Sequence, residues 1–173
     1  FRIRRLLEDL GPTFIKFGQI LSIRPDLIPL DLCNELSKLQ DHVPPFGYEC
    51  VRKQIRESFG KYPEELFASF DPEPLAAASL GQVHRAKLKT GESVVVKVQR
   101  PDIRKMIETD IDILYTLAQL ANRYMQEVRL FNPIGIVDEF SKVITKEIDF
   151  TCEAHNIDRF RKNFKNSAMV HIP

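Results

Sequence analysis

The chain has no tryptophan, and in 173 residues it has three cysteines, Cys33, Cys50 and Cys152. No C-x-x-C pair occurs and no Cys/His cluster has metal-ligand spacing, which argues against zinc ribbons and disulfide scaffolds and favours buried, reduced thiols in a reducing intracellular compartment. No charge sign dominates. Lys+Arg number 25 and Asp+Glu 24, so no global field points to nucleic acid. No apolar run approaches the roughly 18 residues of a membrane span, and the first residues do not form a signal peptide. There is no internal repeat and no low-complexity tract. What remains is a chain 43% hydrophobic and 28% charged, enough to bury a core and to form one ordinary domain or one and a half small ones. Starting at Phe1 and stopping at His171-Ile172-Pro173, it reads as an excerpt of something longer.

The informative stretch is Pro74 to Arg100, PLAAASLGQVHRAKLKTGESVVVKVQR. It predicts strand, loop, strand, turn, strand. Ala76-x-Ala78-x-x-Gly81-x-Val83 has small residues where a nucleotide loop of the GxGxxGxV type has its glycines. Lys97 follows Val83 by fourteen positions, behind Val94-Val95-Val96, in the manner of the V-A-I-K strand. That spacing suits two antiparallel strands, 82–88 and 93–99, joined by Lys89-Thr90-Gly91-Glu92. Phosphate oxygens need close backbone approach and a fixed cation, and this pattern offers both. An ordinary hairpin with a tight turn is the alternative. A buried lysine among valines argues against it, being costly without a partner.

The flanking segments read as helices. Ile3, Leu6, Leu7 and Leu10 are at helical spacing, Gly11-Pro12 breaks the run, and residues 13–22 follow with Phe14, Phe17 and Leu21 on one stripe. Gly18, in mid-helix, implies close packing against another backbone. Lys16 and Gln19 share a second face, where a solvated polar surface is the plainer reading. Asp31 is expected to cap a helix to about Leu39, and residues 49–59 form another, ending at Gly60. A short turn of helix is expected at 63–67, sheet entry at 67–70 and a turn at 71–74. Pro101 opens a long helix to about Gln126 with Ile103, Ile107, Leu114, Leu117, Ala121 and Tyr124 inward. A second long helix is expected over 134–164, placing Asp149, Glu153 and Asn156 on one face and Glu147 elsewhere. Either an acid there answers Lys97, or the face is simply solvated.

Together these pieces match a family. Lys16-Phe17-Gly18-Gln19 forms a KxGQ motif, Ala76 to Val83 resembles an alanine-rich loop, Val96-Lys97-Val98-Gln99-Arg100-Pro101 matches the lysine strand, and Glu147-x-Asp149 with Glu153-Ala154-x-Asn156 matches an ExD stretch. The chain resembles the UbiB/ADCK atypical kinase-like family over nearly its whole length. The resemblance implies an α+β fold. A helical KxGQ extension, 1–62, would precede a protein-kinase-like N-lobe, 63–173, a small antiparallel sheet with long helices, and the C-lobe would be absent. It implies Lys97 as the strand lysine and Glu153 as its helix partner. It gives Ala76, Ala77, Ala78, Ser79, Leu80, Gly81, Gln82 and Val83 as the nucleotide loop. Lys16 and Gln19 would enter the site from the extension, which Glu147 and Asp149 help to hold, with Lys16 in salt-bridge reach of one of those two acids.

The family also implies ATP or ADP as ligand and work in ubiquinone or related isoprenoid-lipid biosynthesis. It suggests a bacterial cytoplasm or membrane periphery, a mitochondrion or a plastid, and a lipid or membrane-associated complex as partner. There is a departure. No H-R-D catalytic loop and no D-F-G occurs, and His84-Arg85-Ala86 lies in a strand and lacks the Asp. The catalytic base and any Mg2+ ligands of the parent would lie outside this chain, which is expected to stop near a strand at 170–173 and to turn over no ATP alone. Two functions compete: an ATP-dependent enzyme, or a regulatory pseudokinase scaffold in which nucleotide only sets conformation.

Overall fold

A computed structural model describes residues 2–39, 43–165, 167, 169–170 and 172. It divides into two compact units, 1–114 and 115–173. In the first, α1 (Arg2–Leu10), α2 (Pro12–Ser22) and α3 (Leu30–Leu36) precede α4 (Tyr48–Phe59) and the single turn α5 (Pro63–Leu66). The strands β1 (Phe67–Ala77), β2 (Gly81–Leu88) and β3 (Ser93–Gln99) follow, antiparallel in the order β1-β2-β3. Helix α6 (Ile103–Tyr124) leads into the second unit, which contains α7 (Gln126–Arg129), α8 (Pro133–Glu147) and α9 (Phe150–Asn163).

Two apolar clusters hold the first unit. Ile15, Leu36 and Leu39 pack with Leu7, Leu21, Ile28, Leu32 and Val43. Gly18 is the reason the helices close so tightly. A Cβ there would strike Leu39 Cδ1 and lie 2.8 Å from Leu7 Cδ1, so the close packing expected of this glycine is against side chains rather than a backbone. The inward face of α2 is Thr13, Phe14, Ile15 and Gly18, with Phe17 and Leu21 half-buried. The second cluster is Val51 and Ile55 of α4 against Val98 of β3, ringed by Phe46, Tyr48, Leu66, Phe70 and Val96. Spacing of four along α4 places Val51 and Ile55 on one stripe, and Gly60, in left-handed conformation at φ 72, ends the helix as its position suggests.

Four expectations are corrected. Asp31 lies in the first turn of α3 without a side-chain capping bond; Pro29 holds the N-cap position, and the helix ends at Leu36, with Leu39 still buried. The turn expected at 71–74 is instead a set of register shifts inside a continuous β1, between Phe70 and Pro74 and again between Pro74 and Ala76. Two prolines in a strand deny it ladder donors, and an edge strand tolerates that as bulges. In α6 the buried stripe is Ile103, Ile107, Ile111, Leu114 and Ala118, while Leu117 and Tyr124 are exposed. The helix expected over 134–164 is two helices.

The break between α8 and α9 falls within the ExD stretch. Ile148 ends α8, and Asp149 is the N-cap of α9, accepting from Thr151 N at 3.0 Å. An aspartate followed two residues later by a backbone donor is a better cap than helix interior, because its side chain competes for the amide. Val137, Phe140, Ile144 and Ile148 are the buried residues of this part of the chain. Tyr115 donates to Asp138 Oδ1 at 2.5 Å beside them, and Asn132 caps α8 through Gly135 N. Of the strand expected at 170–173, His171 and Pro173 lie outside the described residues, and Val170 and Ile172 are in no strand.

Candidate nucleotide site

Register fixes what the sheet presents. Ala76 of β1 pairs with Val83 of β2, and Val83 pairs with Lys97 of β3. Paired residues of antiparallel strands point to the same side, so Ala76, Val83 and Lys97 form one row across three strands. With strands about 4.8 Å apart, the row spans roughly 10 Å. Arg85 opposite Val95 extends the same face, and Leu75 stands out beside it as the extra residue of the β1 bulge. Leu75 and Val95 are 51% and 65% exposed. This open face combines small and apolar side chains with a lysine at one edge.

Lys97 is exposed, not buried among its valines as expected. Alternation is the cause: Val94, Val96 and Val98 turn to the core, whereas Val95 and Lys97 turn to the open side. A lysine in a valine strand therefore meets no desolvation here.

The small-residue loop is less open than its composition suggests. Ser79 and Leu80 are 2% and 6% exposed, and Gly81 is also buried. Ala78 N bonds Gly81 O at 2.8 Å, and Arg100 N bonds Leu80 O at 2.9 Å, closing the loop onto the end of β3. Gly81 is needed for that closure: an added Cβ would lie 2.5 Å from the carbonyl oxygen of Val98. Within 76–83 the exposed positions are Ala76 and Ala78, with Ala77 and Val83 half-buried.

Gln82 points the other way, into the closed face, 1% exposed. Its Oε1 accepts from Phe46 N at 2.9 Å, and its Nε2 donates to Phe46 O at 3.2 Å and meets His84 Nε2 at 2.9 Å. His84, fully buried and stacked on Phe70 at 5.1 Å, reaches Asp71 O at 2.8 Å through Nδ1. Because Gln82 Nε2 can only donate, His84 Nε2 accepts and Nδ1 carries the proton toward the Asp71 carbonyl. Sequence reasoning passed over this network, yet a signal was present. Gln82 and His84 alternate with Gly81 and Val83 at core positions, and polar groups there must have partners.

Arg100 was equally unremarked. Its Nε donates to Ser79 O at 3.2 Å and its Nη2 to Pro44 O at 3.0 Å, with the guanidinium 5.3 Å above the Phe46 ring. Burial pulls its pKa down from the usual range.

The KxGQ residues lie in the helical cluster. Gln19 Nε2 donates to Leu39 O at 3.2 Å, tying the chain after α3 to α2, and Lys16 is half-buried. Lys16, Gln19 and Lys97 belong to the first unit; Glu147, Asp149 and Glu153 belong to the second. Glu147 is the last residue of α8 and Glu153 stands in the first turn of α9, both exposed. Asp149, as N-cap, is held below the ordinary carboxyl range by bonds from the Thr151 side chain and amide. It therefore does not share a regular helical face with Glu153 and Asn156.

Residues 38–173 match the ABC1 atypical kinase-like domain, more than half of the chain. The chain belongs to that family. It is 50% identical to the probable protein kinase UbiB of Pseudomonas paraeruginosa over 172 residues, covering 99% of this chain and 32% of that protein. Identity to the protein of the same name in Marinobacter nauticus is 46%, over 99% of this chain and 31% of that one. The chain thus spans about a third of the length of these ABC1-family relatives. Among solved structures it resembles one described as the complex of Rv3197 with erythromycin from Mycobacterium tuberculosis. The TM-score is 0.62 at 26% identity, covering 87% of this chain and 38% of that one. Helices around a three-stranded antiparallel sheet are a kinase-like N-lobe, as the motifs imply.

Proposed function

We propose that this chain is the nucleotide-holding lobe and regulatory extension of an atypical kinase or ATPase that serves ubiquinone or related isoprenoid-lipid biosynthesis. The row Ala76–Val83–Lys97 on an open sheet face carries the reading. An adenine ring lies against Val83, Val95 and Leu75, the Ala76–Ala78 backbone approaches the phosphates, and Lys97 supplies their fixed cation. The lysine's exposed position suits this role, because a ligand can reach it from the open side of the sheet. The family resemblance gives Glu153 as the partner of Lys97, Lys16 and Gln19 of the 1–62 extension as residues that enter the site of the 63–173 lobe, and Glu147 and Asp149 as residues that help to hold that extension. ATP or ADP fits this face.

Magnesium is a different matter. Among the described residues no group of three or more His, Cys, Asp or Glu could hold a metal ion. That Mg2+ is held by residues beyond this chain is part of the proposal and follows from the family resemblance. No described helix is long and apolar enough to cross a membrane, and a lipid or membrane-associated partner is proposed only for the whole protein.

The test is ATP turnover by the full-length protein, with and without isoprenoid lipid, in wild type and Lys97→Ala. Turnover lost in the variant is the expected result; turnover retained would remove Lys97 from the site. A pseudokinase scaffold is the second reading; an intact metal-binding Asp and Asn elsewhere in the full-length protein would favour the enzyme, and their absence the scaffold. Nucleotide binding without turnover in the full-length protein would select it.

A further inference from the structure

The chain between α3 and α4 is fastened to the sheet at the loop that the nucleotide reading uses. Two side chains do this, one in β2 and one just beyond the end of β3. Arg100, three residues beyond Lys97, forks between Ser79 O at 3.2 Å and Pro44 O at 3.0 Å. One planar group thereby spans the loop and the linker, with Phe46 beneath it at 5.3 Å. Gln82, the residue after Gly81, bonds both the N–H and the C=O of Phe46, as a paired strand would. Its remaining amide hydrogen goes to His84, which is tied to Asp71 at the bulge of β1. Linker, loop, β1 bulge and the end of β3 are thus one hydrogen-bonded assembly.

The linker is in turn continuous with the helical extension. Val43 packs into the cluster of Ile15, Leu36 and Leu39, and Gln19 of the KxGQ motif holds Leu39 O at 3.2 Å. No carboxylate among the described residues pairs with Arg100, which donates to two backbone carbonyls, so its binding depends on where those two segments are. A fork of this kind is geometrically specific, holding two acceptors in fixed directions as the rotatable ammonium of a lysine does not.

We propose that Arg100 and Gln82 are positioning residues through which the extension sets the shape of the 78–82 loop, so that displacement of the linker weakens nucleotide binding. This rests on the nucleotide-site reading above. In that role neither side chain touches nucleotide; each fixes the backbone that does.

The experiment uses full-length protein and a fluorescent ADP analogue, comparing wild type with Arg100→Lys, Phe46→Leu and the pair. Arg100→Lys is expected to weaken binding roughly tenfold or more, the scale for loss of one charge-assisted hydrogen bond. Phe46→Leu, acting from the linker side alone, should weaken it less. The pair should fall short of the product of the two, because both act on one assembly. Hydrogen exchange gives an independent readout, with amides in 43–47 and 78–82 losing protection together in Arg100→Lys. Faster exchange in 43–47 alone, with affinity unchanged, would overturn the proposal by reducing the fork to a linker pin. If wild type binds no nucleotide, the site reading fails, while joint or separate loss of protection still decides the coupling. Should Arg100→Lys lack a cooperative thermal transition, Phe46→Leu carries the same two outcomes.

Discussion

The two faces of the three-stranded sheet are built from alternate residues of the same strands and have opposite characters. On the closed face Gln82, His84, Ala86 and Val98 are all at most 7% exposed, and Val51 and Ile55 of α4 pack against Val98. On the open face Val95 is 65% exposed, and Arg85 and Lys97 are exposed with it. A period of two separates stability from chemistry within seven residues. Apart from Gln82 and its Phe46 contacts, substitutions on the closed face should move the melting transition, and those on the open face should move ligand handling.

The largest expected effect is on the open face. Lys97→Met in the full-length protein should lower nucleotide turnover roughly a hundredfold or more, the scale for losing a fixed charge on a transferring phosphate. The apo thermal midpoint should stay near wild type, since an exposed side chain away from caps and cores changes stability by about 0.5 kcal/mol or less. A large drop in the apo midpoint would blur the contrast between the faces.

The closed face should behave conversely. Ile55 is 3% exposed and packs on Val98, so Ile55→Ala should destabilise by about 2–5 kcal/mol in denaturant titration. Nucleotide affinity of the molecules still folded should be unchanged. A loss of affinity with intact stability would sink the division between the faces.

Two glycines sharpen the comparison, because both are close-packing sites with different neighbours. A methyl on Gly81 would lie 2.5 Å from the Val98 carbonyl, which is ladder backbone and cannot yield without separating β2 from β3. Gly81→Ala should cost about 1–3 kcal/mol. Gly18→Ala meets only the methyl ends of Leu39 and Leu7, and a helix interior gains up to about 1 kcal/mol from the same change. Its net effect on the unfolding free energy should be smaller, and a larger loss than at Gly81 would reverse this ordering.

These contrasts also show what was legible in the sequence. The hairpin spacing from Val83 to Lys97 is local and survives intact, as do the helix ending at Gly60 and the turn at Gly91. The exposure of Lys97 was not legible, because an apolar run leaves open which parity faces the core. That choice is made by α4, a partner remote in sequence. The break at Asp149 follows from a local capping signal that a long amphipathic pattern outweighed in reading. The Gln82–Phe46 and Arg100–Pro44 bonds join positions 36 and 56 residues apart, beyond any periodicity.

The smallest expected effect concerns the periphery, where α1 buries none of its own residues. Leu7 joins the helical cluster, and Arg4 Nε of α1 bonds Glu35 at 3.1 Å, a carboxylate that Lys38 Nζ also bonds at 2.7 Å. Lys38, and after it Arg4, hold the Glu35 carboxyl down to about 2. In the unfolded chain a glutamate titrates near 4.3. A depressed carboxyl stabilises the fold above the unfolded value, and that contribution is lost as pH falls through the folded one. The unfolding free energies of wild type and Glu35→Gln should therefore differ by a constant amount from pH 7 to about 5 and converge between about 4.3 and 2. Amide exchange should be followed in parallel, because the effect is local. Protection of α1 should fall on acidification in wild type, and already be low at neutral pH in the variant. A difference that persists unchanged to pH 2, or an α1 equally protected in both proteins, would mean that Leu7 alone anchors the helix and the ion pairs are decoration. High salt offers the same comparison at fixed pH, since exposed pairs are screened and apolar contacts are not.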